Sequence, residues 1–174
     1  MPQGKALIEL EPIGFDELEK NFSHAREEVV ITLNRMLRRS GKALLPALKK
    51  ETPTGARNKL RNTTTYQIMG KGGSQRLEMR QSAFSRNGFP YGAAVRSGTR
   101  PHFPPYRELI PWVERKLGVG GLMAPRVAYL IARKISRVGT KKNPYHERAY
   151  RSKVGELKHI YNDEVEQLTE RLVK

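Results

Sequence analysis

The sequence predicts an α+β fold: a long N-terminal helix, a small antiparallel β-sheet and C-terminal helices. Three observations carry this expectation. Apolar residues recur at helical spacing near both ends of the chain. The stretch between them is rich in threonine and glycine and shows two-residue alternation. Separated runs of helix and strand signals, rather than alternating ones, mark the α+β class. At 174 residues the chain fits a single domain with residues 1–51 as the N-terminal helix, 52–100 as a β meander and 101–174 as the helical part.

The first helix is read from Phe15, Leu18, Phe22, Ala25, Val29, Leu33, Met36 and Leu37, which fall in steps of three and four. Asp16, Glu17 and Glu19 lie in its first turn, where the helix dipole favours carboxylates. Pro46 predicts a kink or break, and Thr52-Pro53-Thr54-Gly55 a stop.

Residues 59–69 read as a strand, with Tyr66 and Ile68 on one face. Gly70-Lys71-Gly72-Gly73-Ser74 makes a turn. Residues 75–82 alternate Leu77 and Met79 with Arg76, Glu78 and Arg80, the pattern of a half-buried antiparallel strand. Asn87-Gly88 signals another turn, and residues 91–96 a short third strand closed by Gly98.

Arg100-Pro101-His102-Phe103-Pro104-Pro105 is too proline-rich for regular structure. A short helix over about 106–117 carries Leu109, Ile110, Trp112 and Val113, with Pro111 near its middle. After Gly118-Val119-Gly120-Gly121, Pro125 opens another helix whose stripe is Val127, Ile131, Ile135 and Val138, stopped by Gly139. Arg126, Arg133, Lys134 and Arg137 occupy its other faces. A last helix over about 146–172 carries Tyr150, Val154, Leu157, Tyr161, Val165, Leu168 and Leu172.

Charge speaks about partners rather than fold. The chain holds 33 Lys and Arg against 17 Asp and Glu, a net charge of +16. Residues 1–51 carry 9 basic and 8 acidic side chains, residues 52–153 carry 21 and 4, and residues 154–174 carry 3 and 5. The excess therefore sits in the middle, which points to a polyanion: nucleic acid or an acidic protein surface. The same charge also serves a solvated basic surface. Arg96, Arg100, Arg107, Lys141 and Lys142, in or beside loops of this middle, are the candidate nucleic-acid or partner contacts. Phe103, Tyr106 and Trp112 read as core or subunit-interface anchors rather than base-stacking platforms.

Signs of catalysis are sparse. The two aspartates, Asp16 and Asp163, lie in the terminal helices, away from the glutamates of the basic middle, so no carboxylate set suits acid–base or metal-assisted hydrolysis. His24, His102, His146 and His159 form no zinc spacing. The glycine clusters match no phosphate loop. With no cysteine, thiol chemistry, disulfides and thiolate metal sites are excluded. No catalytic residue, metal or cofactor is assigned. No apolar run approaches the ~20 residues of a membrane span and no signal-peptide pattern opens the chain, so the expectation is a soluble protein without a membrane partner, made and used inside a cell.

The order of local motifs resembles the tail-completion, or head–tail joining, neck proteins of lambda-like tailed bacteriophages. The likeness runs from about residue 33 to 149. It comprises a shortened Pro-x-x-Gly-like turn, Pro53-Thr54-Gly55, and the segment Tyr91-Gly92-Ala93-Ala94-Val95-Arg96-Ser97-Gly98-Thr99. The proline-rich bend at 100–105 follows, then Leu109-Ile110-Pro111-Trp112-Val113. Ile131-Ala132-Arg133-Lys134-Ile135 leads to Val138-Gly139-Thr140, and Asn143-Pro144-Tyr145 starts the last helix. Arg96 stands where such proteins often carry an acid. The resemblance implies a non-enzymatic virion protein, assembled in the host cytoplasm, that forms a homo-oligomeric ring, six-fold by expectation. Its implied neighbours are head-connector or stopper and tail-terminator or tail-tube proteins, with DNA in the channel. Six copies at +16 each would carry +96, to be balanced by DNA, counterions or acidic neighbours. The alternative reading is a basic nucleic-acid-binding protein making sequence-independent phosphate contacts. A third, a nuclease using Glu114, has no aspartate nearby to support it.

Overall fold

A computed structural model describes residues 15–55, 58–85 and 88–173, with side chains from residue 23 onward. The predicted positions Phe15, Asp16, Glu17, Leu18, Glu19 and Phe22, as side chains, and Asn87 of the second turn lie outside the described residues. The α+β architecture is as the sequence predicts. Helix α1 (Phe15–Glu51) leads to a helical turn α2 (Lys59–Asn62), strand β1 (Thr64–Met69), a 3-10 turn at Gly72–Ser74 and strand β2 (Arg76–Gln81). Helices α3 (Tyr91–Ser97), α4 (Tyr106–Leu117), α5 (Met123–Val138) and α6 (Tyr145–Val173) follow.

Helix α1 runs through Pro46 to Glu51, against the predicted break. The proline ring faces solvent while its neighbours Ala47 and Leu48 are buried in the main core. That burial offsets the ~3 kcal/mol an interior proline costs. Thr52 then closes the end, its hydroxyl donating to the Leu48 carbonyl at 2.6 Å. Pro111 is likewise accommodated inside α4.

Helix α6 packs antiparallel along α1. Arg148 meets Glu51 at 2.8 Å, Arg39 meets Glu164 at 2.9 Å, and the Arg171 guanidinium donates to Thr32 at 2.8 Å. The contact centres on Glu164, whose side chain is 1% exposed and is approached by both Arg39 and Arg35. Hydrogen bonds to Glu164 first, and to Asp163 second, hold the Arg39 guanidinium protonated beyond its ordinary range.

The sheet is a two-stranded hairpin among the described residues. Its register pairs Tyr66 with Met79 and Ile68 with Leu77, so the predicted apolar positions face each other across the ladder. On the outer face, Glu78 bonds both Arg76 (2.8 Å) and Arg80 (3.1 Å). The hairpin lies against α1, where Tyr66 covers Gly41.

Two segments expected as strand are helical. Residues 59–62 form α2, after Asn58 takes a left-handed conformation at φ 51°. The hydroxyls of Thr63 and Thr64 then bond back to the carbonyls of Lys59 and Leu60 at 2.9 Å each. The predicted third strand is helix α3, following Pro90 and stopped at Gly98. Its Gly-Ala-Ala sequence permits either conformation, and the alanines favour helix.

The main core joins Ala47 and Leu48 of α1, Leu60 of α2, Ala83, and Tyr145 and Ala149 of α6. A second core lies between α4 and α5, built from Val113, Ala124 and Ala128. Helix α5 turns an alanine edge, Ala124, Ala128 and Ala132, fully inward. Of the predicted stripe, Val127, Ile131 and Ile135 are half-buried and Val138 is exposed.

Candidate functional site

Two glycines shape the site. Gly98 (φ +74°) stops α3, and Gly139 (φ +68°) stops α5 while its N–H donates to the Ile135 carbonyl at 2.8 Å. The chain leaving each turns into a one-pair antiparallel bridge between Thr99 and Thr140. A Cβ at Gly98 would collide with the Thr140 carbonyl, and one at Gly139 with the Thr99 carbonyl. Both the left-handed φ and the close approach therefore demand glycine. The Asn143 N–H adds a bond to the Arg96 carbonyl at 3.1 Å.

This clasp brings together four of the five cations singled out from the sequence. Arg96 and Arg100 flank one side of the bridge, and Lys141 and Lys142 the other; all are exposed. At His146, below the surface, burial first and the Arg96 charge second disfavour the protonated form. Arg107 is not part of the clasp. It sits in the first turn of α4, at the lip of a separate groove.

Helix α5 runs into the clasp and extends the basic surface. Arg126, Arg133 and Arg137 project within about 40° of one another at 100° per residue, with Lys134 beside them. All four are exposed, and α5 contains no acidic residue. Among the described residues no ion pair involves these four or the four clasp cations. Eight exposed cations with no ion pair among the described residues give the clasp and α5 a positive character suited to a polyanion. The sequence reading placed the α5 cations away from the apolar stripe but left them out of the contact set. The absence of any acid from residue 123 to 138 was the available signal.

The predicted aromatic anchors separate. Phe103 and Tyr106 both pack edge-on against Tyr129 of α5, at centroid distances of 5.9 and 5.8 Å. This trio fixes the proline-rich bend to the basic helix. Trp112 instead lines a groove of about 490 Å³ with Pro53, Leu60, Phe84 and Tyr91.

A third feature was hidden in a correctly placed helix. Of the predicted stripe of α6, Leu157 and Leu168 are half-buried, but the stripe is not the most buried face of the helix. That role falls to Tyr145, Ala149, Ile160 and Glu164, roughly a quarter turn away. Tyr150 and Tyr161 are each 55% exposed, and Val154, Val165 and Leu172 are exposed beside them.

Beneath the clasp, Gln81 is the hub of a polar network. Its carbonyl accepts from the Tyr145 hydroxyl at 2.5 Å and contacts His146 Nε2 at 3.3 Å. Its amide donates to Thr64 (3.0 Å) and Thr52 (3.3 Å). Burial raises the Tyr145 pKa above its ordinary value, so the phenol stays a neutral donor and the network ties the end of α1, β1, β2 and α6 together. Among the described residues no group of three His, Asp or Glu side chains is placed to hold a metal, and no helix is long and apolar enough to cross a membrane. Comparison of the chain with protein-family models, curated proteins and solved structures finds no match.

Proposed function

We propose that the chain is a non-catalytic assembly subunit: a ring-forming head–tail joining protein of a tailed phage, acting in the virion neck between head connector and tail, with its basic surface toward the DNA path. The exposed apolar stripe of α6 carries this reading. Its spacing of four, three and four residues occurs twice in the sequence, from Tyr150 to Tyr161 and again from Tyr161 to Leu172; Tyr150, Val154, Tyr161, Val165 and Leu172 are exposed, while Leu157 and Leu168 are half-buried at the edge of the stripe. Such an 11-residue repeat keeps one face in line along a nearly straight helix. Five exposed apolar side chains aligned along one helix mark a protein–protein surface. Closed rings arise when different, complementary patches on successive copies meet, and the apolar strip on α6 supplies one such patch. The motif order from residue 33 to 149 adds the virion assignment.

The test is native mass spectrometry of the purified protein, alone and with purified tails. A discrete closed oligomer, or assembly on contact with tails, is expected for the wild type. Tyr161→Glu combined with Val165→Glu is expected to remain monomeric. A wild type that stays monomeric in both settings rejects the reading.

The eight exposed cations favour a second reading, sequence-independent nucleic-acid binding. It expects duplex affinity that falls steeply with salt, and a log–log slope reduced by about two in Arg133→Gln/Arg137→Gln. Absence of binding at low salt removes it.

A further inference from the structure

The groove beside Trp112 has apolar lining from Leu60, Tyr91 and Trp112; its charged lining residues are Lys59, Arg107 and Glu108, two cations against one carboxylate, and Lys59 also donates to the Phe84 carbonyl at 3.1 Å. It is separate from both the clasp and the α6 strip. The sequence contains one segment of matching chemistry beyond the described residues: Leu7-Ile8-Glu9-Leu10-Glu11-Pro12. In extended backbone, successive side chains point to opposite sides. An extended arrangement would set Ile8 and Leu10 on one side, toward the apolar lining, and Glu9 and Glu11 on the other, and the groove's charged lining has one more cation than carboxylate.

Reach decides whose segment it is. The groove opens beside Pro53 and Thr54, just past the end of α1. With 37 residues, α1 puts about 55 Å between Phe15 and that end. Residues 8–10 lie five to seven residues before Phe15, a reach of at most about 25 Å even fully extended. A chain cannot fill its own groove with this segment; a neighbouring copy can.

We infer that residues 8–10 of one copy seat in the Trp112 groove of the next, a second, arm-exchanging contact between copies. The inference rests on the self-association reading above but uses a different surface.

The cysteine-free, single-tryptophan sequence gives two clean readouts on the full-length chain. Leu10→Cys and Phe84→Cys proteins, prepared separately, mixed and oxidised, are expected to give disulfide-linked dimers requiring both variants. Oligomer size in the same sample is measured by native mass spectrometry. Oligomers without linked dimers overturn the arm contact and leave the joining-ring reading standing; monomers without linked dimers overturn both. A chain carrying both cysteines that links only internally also overturns the arm contact. Independently, Ile8→Glu/Leu10→Glu is expected to shift Trp112 emission to longer wavelength as the groove empties. Unchanged emission overturns the contact, as does an emission shift of the wild type seen only on adding purified tails, which would give the groove to a different protein.

Discussion

Thr99 and Thr140, 41 residues apart, exchange two backbone hydrogen bonds of 3.2 Å each, and their hydroxyls meet at 2.9 Å. This single bridge aligns the end of α3 with the end of α5 and assembles a basic surface from two distant segments. Its geometry depends on a glycine beside each threonine.

Gly139→Ala is therefore expected to destabilise the fold by about 2–4 kcal/mol, from a forced left-handed conformation and a collision with Thr99. Urea unfolding measures it. Stability within about 0.5 kcal/mol of the wild type would mean that the bridge opens freely.

Gln81→Ala removes the shared partner of Tyr145, Thr64 and Thr52. Leaving such groups unsatisfied costs about 2–3 kcal/mol in all, whereas Tyr145→Phe, which loses one hydroxyl, costs about 1 kcal/mol. The two effects are expected to be less than additive, because both break the same bond. Strict additivity in a double-mutant cycle would refute the network.

Gly41→Ala should gain about 1 kcal/mol from helix propensity. The added methyl, however, would lie 2.5 to 2.9 Å from three atoms of the Tyr66 ring. The expected net effect is a loss of about 1–2 kcal/mol. In a Tyr66→Leu background the same change is expected to be neutral or stabilising. Chemical denaturation of the four proteins decides it.

His146 gives the fold a pH response. Burial first, and the Arg96 charge second, lower its pKa from the ordinary 6.5. Well above pH 6.5 both folded and unfolded forms are neutral at this site, and its contribution to stability is fully present. As pH falls below that value the unfolded chain takes up a proton the native site resists, so stability is lost progressively through the lower, folded-state pKa. Wild-type unfolding free energy is expected to fall between about pH 7.5 and about pH 5.5, and His146→Gln to show a smaller fall. An equal fall in both would place the response elsewhere.

The sequence by itself determined the fold class, the long terminal helices, the hairpin with its facing apolar pairs, and the concentration of charge in the middle of the chain. These follow from periodicity and composition, which act locally. It erred at residues 59–62 and 91–97, where short Thr- or Ala-rich runs suit helix and strand alike and only the neighbouring surface chooses. Pro46 was misread for the same reason: burial of Ala47 and Leu48 outweighs a local preference. The candidate cations Arg96, Arg100, Lys141 and Lys142 were legible as charge in loops, but their meeting was not. That meeting depends on a bridge across 41 residues, and no local rule encodes it. Tertiary structure alone also decided that α6 buries Glu164 against two arginines and leaves Tyr150 and Tyr161 in solvent. Periodicity marks an apolar face, but which face a helix buries depends on the partner it meets.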